Sequence, residues 1–66
     1  MPRTLDELAT LIANRDSITL EEAKTAVRDC AAEMEWAFMN GSLDDVELIL
    51  KDYLGLEPDY LDLFIF

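Results

Sequence analysis

Apolar side chains recur along this chain at the three- and four-residue spacing of helices, and no stretch alternates with the period of two that marks a strand. Leu5, Leu8, Ala9 and Ile12 share one face of a first helix predicted over residues 5–14. A second and longer helix is predicted over residues 20–39. Its stripe of Ala23, Val27, Cys30, Met34 and Ala37 steps by four and three in turn, which keeps one seam along the helix, and Phe38 widens that seam. A third helix over residues 43–54 turns Leu43, Val46, Ile49, Leu50 and Tyr53 toward the core.

The polar positions between these stripes mark where each helix starts and stops. Thr4/Glu7, Thr19/Glu22 and Ser42/Asp45 each pair a hydroxyl that can accept from the free amides of a first turn with an acid three residues later. The third pair is the weakest, because Asp is shorter than Glu. Ile18, just before the second cap, can staple onto Ala23. Residues 15–17 read as a short connection, and Asn40-Gly41 and Gly55 read as stops at which glycine takes the left-handed conformation. Pro58-Asp59 suits the opening of a short fourth helix over residues 58–63, since proline needs no amide partner there. The fold class expected is all-α: one domain over residues 1–66, a small antiparallel three-helix bundle with a short fourth C-terminal helix, organised around the second helix.

Composition narrows the function. A chain of 66 residues buries only about 60% of its unfolded surface, so it forms one small domain. Its 52% hydrophobic content separates it from disordered acidic tails. Fifteen acids against five bases give a net charge of -10, which disfavours direct binding to nucleic acid. That charge is uneven: residues 1–28 hold five acids and four bases, and residues 29–66 hold ten acids and only Lys51. There is no histidine to serve as a general base near neutral pH. Cys30 sits in the apolar seam, where a thiol acts as a small hydrophobe, and with no second cysteine it reads as a reduced thiol in a cytoplasmic protein. Glu33 and Glu35 stand two apart on a helix and do not face each other, and Asp44 to Glu47 lie within a helix rather than a calcium loop. No enzyme activity, cofactor or metal is therefore expected. The acidic pair Asp6-Glu7 precedes any apolar run, which does not fit a secretory leader, and no stretch approaches the ~18 apolar residues of a membrane span.

Two positions break the pattern. At about 100° per residue, Asp44, Asp45, Glu47 and Asp52 fall on the outer side of the third helix, with Leu48 among them. Trp36 points away from the seam of the second helix and shares its side with Ala32 and Met39. Either the fourth helix and the tail Phe64-Ile65-Phe66 cover this tryptophan, or it belongs to a subunit or partner interface. Homodimerisation is one such outcome. The candidate partner-binding residues are Asp44, Asp45, Glu47, Leu48 and Asp52, followed by Glu33, Glu35 and Trp36.

Residues 41–48, Gly41-Ser42-Leu43-Asp44-Asp45-Val46-Glu47-Leu48, resemble the segment of acyl carrier proteins that opens their recognition helix. The resemblance implies that Ser42 carries a phosphopantetheine arm and that Asp44 and Glu47 face a basic transferase. Carriers have a long loop before that serine, whereas here a long helix is predicted to end just ahead of it. The chain as a whole resembles, in size, acidity and helical pattern, small phage- and plasmid-encoded inhibitors such as anti-CRISPR and DNA-mimic proteins. That likeness implies a non-enzymatic module whose carboxylates occupy a basic, nucleic-acid-handling surface of a partner protein. A self-associating structural protein is the alternative from the apolar anomalies, and a carrier modified at Ser42 is the alternative from the local segment.

Overall fold

Three hydroxyl caps set the three main helices. The computed structural model describes residues 2–64: α1 over Leu5–Asp16, α2 over Leu20–Asn40, α3 over Leu43–Leu54, and a 3-10 helix over Pro58–Leu63. The chain is all-α, a small helical bundle with no strand among the described residues. Thr19 forms a complete capping box: its hydroxyl accepts the Glu22 N–H at 3.1 Å, and Glu22 Oε1 accepts the Thr19 N–H at 3.2 Å. Ser42 and Asp45 repeat it with longer bonds of 3.4 and 3.3 Å, as the short Asp side chain requires. Thr4 accepts from Glu7 N at 3.1 Å, but the Glu7 carboxylate accepts from Arg3 N at 2.6 Å and so closes no reciprocal box.

The helix ends differ from the sequence expectation in three places. α1 runs through Arg15 and Asp16 and stops at Ser17, whose φ of 57° is left-handed and whose N–H reaches the Ala13 carbonyl. α2 continues to Asn40. Gly41 is not left-handed, with φ at -133°, and its lack of a side chain answers a different need. A Cβ there would lie 2.7 Å from Asp45 Oδ2 and 3.0 Å from the Ala37 carbonyl, so glycine makes room for the carboxylate that caps α3. Gly55 does take the left-handed conformation, with φ at 64° and its N–H on the Lys51 carbonyl at 2.8 Å. The fourth element is a 3-10 helix, the form in which such short helical pieces usually occur.

α2 is the axis of the bundle. Its 21 residues rise about 31 Å, matching the 32 Å long dimension of the molecule. α1 and α3, with 12 residues each, rise only about 18 Å and pack on it from either end of the chain. All five residues of the predicted seam, Ala23, Val27, Cys30, Met34 and Ala37, are buried, with Leu8 and Ile12 of α1 and Val46, Leu50 and Leu54 of α3 against them. Leu56 and Phe64 close the core after the turn at Gly55.

Four residues assigned to core faces are exposed instead. Leu5, Phe38, Leu43 and Tyr53 stand at 36%, 50%, 57% and 51% exposure. The wheel gives the direction of a side chain and not how far along the axis a neighbour extends. α1, with 12 residues against the 21 of α2, covers only part of its length, and Phe38 and Leu43 lie at the far end of α2 and the start of α3. Leu5 belongs to the first turn of α1, and Tyr53 to the last turn of α3.

Candidate protein-docking surface on α3

α3 turns Val46, Leu50 and Leu54 into the core, which directs Asp44, Leu48 and Asp52 outward on nearly the opposite side. These three recur every four residues and form a ridge of carboxylate, leucine and carboxylate. All three are exposed, and Leu48 stands at 56%. The ridge borders a groove of about 510 Å³ between α3 and the connection that follows it, lined by Asp44, Glu47, Leu48, Lys51, Leu56, Glu57 and Pro58 among others. Leu48, Leu56 and Pro58 supply apolar surface, and three carboxylates set its charge.

The predicted residues do not all belong to this groove. Asp44, Glu47 and Leu48 line it, and Glu47 is half-buried rather than fully outward. Asp45 is exposed, but its Oδ2 holds the Ser42 N–H, so its carboxylate serves the α3 cap. Asp52 continues the ridge outside the groove lining. Glu33 and Trp36 line a separate shallow depression with Ala32 on α2, and Glu35 is exposed on the same helix apart from both. The two surfaces lie on different helices and share no lining residue. Sequence reasoning missed Lys51, Leu56, Glu57 and Pro58 as groove residues. The signal for them was Gly55 followed by Pro58, which together bend the chain back along α3.

Trp36 is 66% exposed and Met39 74%. The 3-10 helix does not cover Trp36, and Phe64 is spent on the core at 4% exposure. Ile65 and Phe66 lie outside the described residues.

The electrostatics of this half are uncompensated. Among the described residues the ion pair is Arg15 with Asp16, at 2.8 and 3.0 Å, and it lies at the end of α1. Those hydrogen bonds raise the Arg15 pKa and lower that of Asp16. Lys51 sits among the groove carboxylates without such a pair.

Cys30 is fully buried, its Sγ 3.4 Å from Met34 Sδ, and burial pushes the thiol up to about 11. A thiol held protonated in this way is a poor nucleophile. No group of three or more potential metal ligands comes together among the described residues. Ser42 is exposed and caps α3, with only Gly41 between it and the end of α2, so the long loop of carrier proteins is missing. No helix among the described residues is long and apolar enough to cross a membrane. Comparison with known protein families, curated proteins and solved structures finds no match.

Proposed function

We propose that this chain is a non-enzymatic protein-binding module that docks through α3 on a basic, nucleic-acid-handling surface of a partner and blocks it. The observation that carries this reading is the exposed Asp44-Leu48-Asp52 ridge beside an acidic groove, on the half of the chain with ten acids and one Lys. Carboxylates on successive turns present a line of negative charge to a surface shaped for phosphates. Leu48 adds the apolar anchor that charge alone lacks, since buried contacts at the centre of an interface dominate its energy. The likeness to phage- and plasmid-encoded inhibitors of the anti-CRISPR and DNA-mimic kind rests on the same size, charge and helicity. A buried reduced thiol suits action in the cytoplasm.

The test is competition. The tagged chain captures its partner at low salt, and the partner's binding to nucleic acid is then measured with and without the chain. Nucleic acid is expected to be displaced, and capture to weaken steeply as salt screens the contact. A partner that holds nucleic acid and the chain together would refute the blocking role. The exposed Trp36 and Met39 favour a second reading, self-association, which requires a dimer in solution that Trp36→Ala dissociates.

A further inference from the structure

We infer that the outer face of α2 around Trp36 is a second docking face, separate from the α3 groove, that takes an arginine-bearing amphipathic segment of a basic protein. The inference rests on the proposed reading that this chain binds basic proteins. It is carried by one juxtaposition: Glu33 and Trp36, three residues apart on α2, line the same shallow depression, so a carboxylate and an exposed indole meet at one spot. A guanidinium suits both at once, because it stacks flat on an indole and pairs in fork geometry with a carboxylate, which an ammonium does not. Ala32 beside them and the exposed Met39 one turn on offer apolar surface to the rest of the segment. The face is held on a regular helix, since Asn40 Nδ2 donates to the Trp36 carbonyl at 3.0 Å in the last turn of α2.

Charge decides between possible occupants. Asp29, Glu33 and Glu35 are exposed on this part of α2, and no Lys or Arg follows Arg28 in the helix. A second copy of the chain would bring these carboxylates against their own kind. A cationic segment meets them with opposite charge, and complementarity of this sort sets specificity and the rate of encounter. Since the α2 depression and the α3 groove share no lining residue, one chain accepts two such segments.

Trp36 is the one tryptophan, so its fluorescence reports this face alone. A synthetic peptide of alternating Arg and Leu is titrated into the full chain at low salt, beside a Lys/Gly peptide of equal charge. The expected result is a saturable change in Trp36 emission with the Arg/Leu peptide and two peptides bound per chain. Glu33→Gln is expected to weaken the Trp36 response about tenfold, the scale of a lost charged hydrogen bond. Asp52→Asn, with the same change of net charge, is expected to leave it within about twofold, because Asp52 lies on α3, outside the depression. Equal losses in the two variants would overturn the inference. Binding seen only as amide shifts at Leu48, with Trp36 silent, would overturn it and leave the α3 proposal standing. No binding at either face would overturn both. A concentration-dependent dimer that Trp36→Ala abolishes would make a second copy the occupant and overturn it as well.

Discussion

The two halves of this chain solve different problems. Residues 1–28 carry five acids and four bases, and their exposed large apolar side chains are Leu5 and Leu20, at 36% and 42%. Residues 29–66 carry ten acids and one Lys, and there Trp36, Phe38, Met39, Leu43, Leu48 and Tyr53 all stand at 50% exposure or more among the described residues. Excess acid and exposed apolar surface thus coincide in one half, as the proposed docking role requires. On the proposed reading, the first half serves the fold, and the second half both folds and presents a docking surface.

Stability and surface are therefore separable within α2 and α3, and substitutions can break them apart. The largest effect is expected from Leu50→Ala, which empties a fully buried position between α3 and α2 and costs about 2–5 kcal/mol in denaturant unfolding. Trp36→Ala, at an exposed site, is expected to change stability by less than about 0.5 kcal/mol in the same assay. A comparable loss in both would mean that the exposed tryptophan is part of the core.

A smaller effect comes from Cys30. Burial raises the folded-state thiol from 9.0 to about 11, so the unfolded chain gives up this proton first. The resulting stability is full below pH 9.0 and is lost as pH rises toward 11. The loss is on the order of 2 kcal/mol for a fully enclosed thiol. Wild type is expected to lose more stability than Cys30→Ala across that window, since Lys and Tyr titration is common to both. Parallel pH profiles would show that the thiol reaches water in the folded state.

Much of the fold was legible in the residues, and the reasons are local. Thr4, Thr19 and Ser42 announced three helix starts because a hydroxyl at that position answers free amides. The Ala23 to Ala37 seam was readable because its spacing matches the helical repeat over four turns. What stayed hidden depended on lengths and on neighbours distant in sequence. Leu43, assigned to the core by its spacing, stands exposed in the first turn of α3. Gly41 is required by the approach of Asp45 rather than by its own dihedral angle. The candidate site was half legible: periodicity found Asp44, Leu48 and Asp52, but the groove beside them exists only because the chain reverses at Gly55 and lays Leu56 and Pro58 along α3.

The central claim is that the acids of the second half, and not net charge as such, make the docking surface. Two doubly reversed variants test it directly: Asp44→Lys with Asp52→Lys, and Asp6→Lys with Glu21→Lys. Each changes net charge by the same amount at exposed positions, and neither touches the capping carboxylates of Glu22 and Asp45 or the Glu7 carboxylate that holds the Arg3 N–H. Retention of the captured partner at low salt is then compared for the two. The account predicts that the α3 pair abolishes retention while the first-half pair leaves most of it. Equal retention by the two variants, or equal loss, would contradict it.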